Sequence, residues 1–581
     1  MTIDATSPLL LDDPSDAAGH AGAMHDPAVQ RLVDFFRSKG LAQRKREDRE
    51  ETWYQDWIDY QQEHGLYAAL LSPAQHSSRG HRFDLRRLAR FLEVFAYFSP
   101  AHAYSLHVSF LGLFPILMSD NDRLKQEAIE RLEAGGLFAF AVSEREHGSD
   151  LLANEFVLSQ SPNTDGWRAN GAKYYIGNAN AAGMVSVLAK KSHDGALPSR
   201  RSGFAFFALR PDSSPAYRNV QKIRTLGIRQ AFVGAFEVID HPVARDDIIS
   251  EGRDAWDAVF DTVNLGKFLL GFGAIGICAH AFAEADHHLR RRVLYGKPAI
   301  DMPHLRETTA IAYARLTAMK HYAYRALDYV QTATADDRRF LLFNAVQKAR
   351  VSTEGVKVMS ILSECIGARG VESETYFEQA LRDAQLIPGL EGSTHINFGL
   401  TAQFVDTYFA DAGDTDIAEP PHDADVGENP YLMKPGDRNA KTVRFADCLR
   451  AYAPLASHET VQGCIEQVKA FRRFVQEGGT DHARAGDVGV RIALGRSFST
   501  IAYAQLIAER CAVIAVEQPM ISLIFHALTE DLSMDALRLA GFFSSDSHPR
   551  ARLEQVVTLP RTDLSDHEAV AELIAARYGH S

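Results

Sequence analysis

Cysteine is scarce in this chain: five are present in 581 residues, at positions 278, 365, 448, 464 and 511, and no two form a CxxC pair. An odd number of widely spaced cysteines gives neither a disulfide framework nor a zinc-ligand spacing. Positive charge is also in short supply, with 62 Lys and Arg against 75 Asp and Glu and a formal net charge of −13. With no basic stripe to neutralise phosphates, nucleic acid is not an expected partner, and an anionic substrate would need local cationic positions. The start, MTIDATSPLLLDDPSDAAGHAG, lacks a cationic n-region before its short apolar run, so no signal peptide is expected. The most apolar window, Phe268 to Ala283, is shorter than the roughly 20 residues that span a bilayer. A protein without a transmembrane segment, in the cytoplasm, is the expectation. No internal repeat at a fixed period is visible.

What is present reads as globular. Hydrophobic residues make up 46% and charged residues 24%. At roughly 100–200 residues per domain the length implies about three to five domains. Residues 1–26, rich in Asp, Ser, Ala and Gly, read as a disordered lead-in. Residues 27–136 carry apolar positions at three- and four-residue spacing, as in DLRRLARFLEVFAYF, and predict a helical domain. Over 137–250 the chain turns to short β-rich runs, LFAFAVSE, KYYIGNA and GFAFFALRP among them, separated by turn-forming stretches. Helices return over 251–410. A polar, Pro-rich linker follows at 411–437, and a further helical domain occupies 438–581.

Several motifs have bland readings that win. Gly271-Phe-Gly273-Ala-Ile-Gly276 spells a dinucleotide fingerprint, but that motif works between a strand and a helix, and here it lies inside a helical apolar run. Small residues there serve close helix packing. His287-His288 and the pair His76 and His81 match no ligand spacing, so no metal is expected. Arg290-Arg291-Arg292 on a helix point about 100° apart, so at most one or two address a common ligand.

Three segments taken together are more specific. The first is Ala141-Val-Ser-Glu-Arg-Glu-His-Gly148-Ser149-Asp150 with Trp167-Arg-Ala-Asn170-Gly171-Ala-Lys173-Tyr-Tyr175-Ile176. The second is Arg292-Val-Leu-Tyr295-Gly296. The third runs Gly367-Ala-Arg-Gly370, Arg382-Asp383, then Glu391-Gly392-Ser393. In order, context and spacing they resemble the acyl-CoA dehydrogenase flavoproteins, whose patterns are TEPxxGSD with WxxNGxKxxITN, RxxFG, and GGxG…RD…EGT. The resemblance covers about 137–410 firmly. The region beyond 438 resembles the extra helical domain of long-chain dehydrogenases and acyl-CoA oxidases.

The fold this implies is mainly α with a central β-barrel domain, flanked by an N-terminal helical bundle and a second bundle, with an additional C-terminal helical domain. The cofactor it implies is FAD. The reaction is α-proton abstraction from an acyl thioester with β-hydride transfer to flavin N5, giving a 2-enoyl thioester. Glu391 matches the position of the base in families whose base lies in the EGT segment. The residue type fits, because a weakly acidic α-proton needs a carboxylate kept from water and the developing enolate needs hydrogen bonds at its oxygen. Pro388-Gly389 suits a turn that directs Glu391 into a cleft. By the same resemblance Val142, Ser143, Ser149, Tyr175, Arg292, Tyr295 and Ser393 stand at cofactor positions, and Ser149, Lys267 and Gly392 at substrate positions. Arg292 would reach an FAD phosphate across a subunit interface, where a guanidinium fork suits the charge.

Departures fall mainly on the CoA side. Arg145-Glu146 replaces the Pro-containing stretch, Glu364 and Ala368 replace Gln and the second Gly, and Lys267 stands where many relatives have arginine. These departures are compatible with a second reading within the fold: a natural-product flavoenzyme acting with O2 on a β-keto acid or a carrier-bound acyl group, as epoxyketone synthases do. A flavin-fold scaffold without turnover is the third. Expected partners are an acyl thioester or β-keto acid, an electron-transfer flavoprotein or O2 as acceptor, and a second copy of the chain in a homodimer.

Overall fold

The computed structural model describes residues 26–162, 164–192, 203–410, 417–434, 436, 438–481, 486–560 and 563–578. The expected lead-in, apart from Asp26, and part of the expected linker lie outside the described residues. Two compact units are present: residues 42–269 with 427–435, and residues up to 41 with 270–426 and 436–581.

The first unit begins in α1 (Pro27–Glu50), which breaks at Gly40, where φ is +71°. It continues through α2 (Gln55–His64), α3 (Leu66–Leu71), α4 (Leu85–Phe98), α5 (Pro100–Met118) and α6 (Asp122–Glu133). Asp84 caps α4 by accepting from the backbone N–H groups of Arg86 and Arg87. α5 starts with Pro100 in its first turn and is buried on nearly every side, as suits a helix apolar all round.

Eight strands follow: β1 (Leu137–Ala141), β2 (Val157–Gln160), β3 (Trp167–Gly177), β4 (Ala182–Ser192), β5 (Phe204–Leu209), β6 (Tyr217–Lys222), β7 (Val233–Val243) and β8 (Ile248–Glu251). They form one mixed sheet in the order β6-β7-β3-β2-β4-β5-β8, with β1 parallel to β4. A single apolar cluster draws Ala139, Phe156, Ile176, Val187, Phe207 and Phe236 from five of these strands and the approach to a sixth, as a sheet curled around one core requires. α5 lies directly on β1: a Cβ at Gly112 would sit 2.6 Å from the Ala139 backbone. Buried Asn178, at φ +57°, donates to the carbonyls of Ser105 at 3.0 Å and Phe138 at 3.1 Å, tying α5, β1 and the end of β3 together.

α7 (Gly252–Arg291) contributes its first part to this unit and the rest to the other. The second unit then adds the hairpin β9 (Val293–Leu294) and β10 (Lys297–Pro298), α8 (Pro303–Gln331) and α9 (Phe340–Val346). A π turn over Gln347–Val351 leads without a break into α10 (Ser352–Ile366). After α10 come α11 (Tyr376–Leu386), α12 (Thr394–Thr401) and α13 (Val405–Tyr408). The C-terminal region is α14 (Glu459–Phe474), α15 (Val488–Val513), α16 (Gln518–Ala540), α17 (His548–Glu554) and α18 (Leu564–Tyr578). Buried ion pairs join it to the rest of the unit: Arg315 of α8 reaches Glu354 at 2.9 Å and Asp531 of α16 at 2.8 Å, and Arg325 reaches Glu509 of α15 at 2.7 Å.

Three sequence expectations gain detail. The Gly271–Gly276 run sits within α7, and a Cβ at Gly271 would lie 2.2 Å from the Gln347 amide, so this glycine serves helix packing. Arg292 is not on the helix. α7 stops at Arg291, Arg290 is bound back to Asp286 at 2.7 Å, and Arg292 opens the hairpin with its side chain exposed. By length and composition alone α5 and α7 could each cross a membrane, which the shorter window in the sequence did not reveal; 89% of each apolar stretch is buried inside the protein.

Candidate active site

The residues singled out from sequence fall into two groups, one on each unit. In the sheet-bearing unit the chain leaves β1 at Ala141 and enters the Val142–Asp150 segment. Lys173, on β3, holds this segment. Its fully buried ammonium donates to Glu144 Oε1 at 3.0 Å, Asn154 Oδ1 at 2.8 Å and the Val142 carbonyl at 3.0 Å. Burial pushes Lys173 down to about 8, against the pull of Glu144. Glu144 also accepts from the N–H groups of Glu155 at 2.6 Å and Phe156 at 3.0 Å. Ser143 is joined to the same strand: its hydroxyl donates to the Tyr174 carbonyl at 2.6 Å, and its own carbonyl accepts from the Tyr174 N–H at 3.0 Å. Val142 is buried, Ser143 half-buried and Ser149 exposed on a bend. Arg145, at the position of the missing proline, lies over the Tyr174 ring at 4.4 Å.

Tyr175 stands at a register shift in the β3–β7 pairing, with φ +64° and 59% exposure. A bulge re-aims the residue it carries, which accounts for this ring facing outward from a long strand. Lys267 is buried on α7.

In the helical unit, Tyr295 sits at the tip of the β9–β10 hairpin with φ +51° and 96% exposure, followed by Gly296 at φ +79°. Glu391 lies between the single turn Ile387–Gly389 and α12, at φ +51°, with Gly392 at φ +89°. Ser393 is the N-cap residue of α12. Eight non-glycine residues among those described have positive φ, and Tyr175, Tyr295 and Glu391 are three of them. Backbone held in this region is strained, and such strain concentrates where side chains are aimed for function.

A cavity of about 910 Å3 in the sheet-bearing unit does not include these residues. Its lining is mixed but mainly acidic, with Asp122, Asp246, Asp254, Asp257 and Asp261 beside Lys191, Arg245 and Lys434.

Comparison with known proteins identifies two domains. The acyl-CoA dehydrogenase middle domain matches residues 139–240, and the acyl-CoA dehydrogenase C-terminal domain matches residues 254–405. The chain carries both of these acyl-CoA dehydrogenase family domains. An acyl-CoA dehydrogenase of Bacillus subtilis is 25% identical over 293 residues, 50% of this chain and 74% of the relative. The butyryl-CoA dehydrogenase structure from Megasphaera elsdenii superposes with a TM-score of 0.59 at 20% identity, over 67% of this chain and 97% of that one. An acyl-CoA dehydrogenase from Bacillus anthracis, solved in complex with FAD, has a TM-score of 0.75 at 16% identity and covers 98% of both chains. The last likeness extends the shared fold through the C-terminal helices α14–α18, beyond both matched domains. Val142, Ser143, Ser149 and Tyr175 fall in the middle-domain match, and Lys267, Arg292, Tyr295 and Glu391–Ser393 in the C-terminal match.

Lys173 and Glu144 are functional candidates that the sequence reading did not single out. For Lys173 a signal was available: β3 alternates between buried and exposed positions, and a lysine stands at a buried one.

Proposed function

We propose that this protein is an FAD-dependent oxidoreductase that forms an α,β-double bond in an acyl thioester, with Glu391 as the proton acceptor. The observation that carries the proposal is the backbone of the Glu391–Gly392 turn, two successive left-handed residues that aim a carboxylate from a well-packed helical unit. The residues present suit the cofactor. Tyr175 and Tyr295 offer exposed rings to a planar aromatic group, Arg292 offers an exposed guanidinium to a phosphate, and the Lys173 clamp fixes the Val142–Ser143 backbone. When bound, FAD supplies the two-electron acceptance the reaction needs. Glu391 takes the α-proton as the C=C bond forms and a hydride equivalent leaves the β-carbon. By the family resemblance, the Glu391 backbone N–H would donate to the thioester oxygen as negative charge grows there. Electrons then pass to a separate carrier, and a homodimer would bring Arg292 and Tyr295 of one copy to the other.

Glu391→Gln tests this directly. The purified variant keeps its flavin spectrum, and anaerobic reduction by an acyl-CoA slows by about 10²–10⁴-fold, the usual worth of a general base. Undiminished reduction removes Glu391 from the mechanism.

A further inference from the structure

We propose that Lys348 and Asn397 are positioning residues that hold the Glu391 turn from its two ends; the inference rests on the reading of Glu391 as proton acceptor. Lys348 is fully buried in the π turn between α9 and α10, and its ammonium donates to the Ile387 carbonyl at 2.6 Å. A buried ammonium is costly unless it is partnered, so it is kept where its bond does something. The Ile387 carbonyl is the anchor of the turn that delivers Glu391, because it also accepts from the Leu390 N–H at 3.3 Å. From the other side Asn397, 1% exposed, donates through Nδ2 to the carbonyls of Gly392 at 3.0 Å and Ser393 at 3.1 Å.

The π turn explains how the helix reaches so far. Such turns insert one extra residue into the helical register and occur at functional sites. Here the insertion lets Gln347, fully buried, pack against Gly271 of α7 while its neighbour Lys348 addresses the chain 39 residues further on. The two clamps bracket Glu391 and Gly392, both left-handed, and strained backbone of this kind persists only where its surroundings over-determine it. A carboxylate displaced by an ångström from a reacting C–H loses most of its catalytic value.

The test uses the full-length, FAD-loaded protein with Lys348→Met, Lys348→Arg and Asn397→Leu. Two quantities are read: amide hydrogen exchange over residues 389–393, and exchange of the α-proton of hexanoyl-CoA in D2O by mass spectrometry. For Lys348→Met, amide exchange at 389–393 speeds up about tenfold or more with the remaining chain unchanged. Its kcat for α-proton exchange falls about 100-fold while KM stays within about threefold, and arginine recovers the rate to within about tenfold of wild type. A soluble Lys348→Met protein with normal protection and normal kcat overturns the proposal. If that variant does not fold, Asn397→Leu decides in the same way, with the same expected pattern. If wild type exchanges no α-proton of hexanoyl-CoA, the functional reading fails for that substrate, and the amide exchange alone then upholds or overturns the clamp.

Discussion

Lys173 in the sheet-bearing unit and Lys348 in the helical unit are both buried, and each holds a segment that carries candidate site residues. Their partners differ. Lys173 meets the Glu144 carboxylate together with two neutral oxygens, and the bond by which Lys348 holds its segment is to a backbone carbonyl, one among its contacts. A carboxylate inside a protein must have a counter-charge, so the first clamp is a mutual dependence: remove either member and the other becomes a cost. A carbonyl is a dipole with a second lone pair, and the one at Ile387 is already shared with the Leu390 N–H. The bond that holds the Val142–Asp150 segment is thus between two charges, and the bond that holds the Glu391 turn is between a charge and a dipole.

The largest effect expected from breaking this contrast is in Lys173→Met. It leaves Glu144 buried beside two N–H groups but without its cation, and costs about 3–5 kcal/mol of stability, the usual penalty for halving a buried pair. Urea unfolding of the sheet-bearing domain is the measurement, and a loss below about 1 kcal/mol, the range of exposed pairs, would show that water reaches the pair.

Next in size is the pH dependence. Burial lowers Lys173 from its ordinary 10.5 to about 8, so between those values the unfolded chain holds a proton that the folded chain has released. Stability from this group therefore rises as pH increases from about 8 to about 10.5, by at most on the order of 3 kcal/mol, and is flat below about 8. Subtracting the pH profile of Lys173→Met isolates the increment. A wild-type profile that falls relative to the variant through this window would mean that the ion pair outweighs desolvation.

The contrast between the clamps also marks what the sequence makes legible. The change of apolar period from helical to alternating and back yields the helix–sheet–helix order. The Pro388-Gly389 pair and the ungapped run from Arg382 to Gly392 point to Glu391 before any coordinates do. Both partners of the sheet clamp lie within those recognisable segments, and only their pairing across 29 residues is invisible. Lys348 carries no local signal: its bond spans 39 residues, and a π turn has no periodicity to detect in an otherwise helical run. The bulge that turns Tyr175 outward is equally silent, because it depends on the register of β7 and not on β3. Residues that position others are chosen by tertiary contacts, and a single sequence holds little record of those.

The smallest effect, and the one that sharpens the comparison most, is the stability of Lys348→Met. The variant takes one donor from the Ile387 carbonyl, which retains another, together with the other contacts of the buried ammonium. The Ile387 bond is worth about 1 kcal/mol and methionine fills most of the lysine volume, so a net change within about 1 kcal/mol of wild type, with an unchanged urea m-value, is the outcome expected if that bond dominates. The same substitution at Lys173 is expected to cost several times more. If the two variants lose equal stability, Lys348 carries structural weight comparable to an ion pair, and a fall in its α-proton exchange rate would then need to be separated from partial unfolding. If Lys348→Met is near neutral in urea yet slow in catalysis, the lysine is kept for the placement of Glu391 and not for the fold.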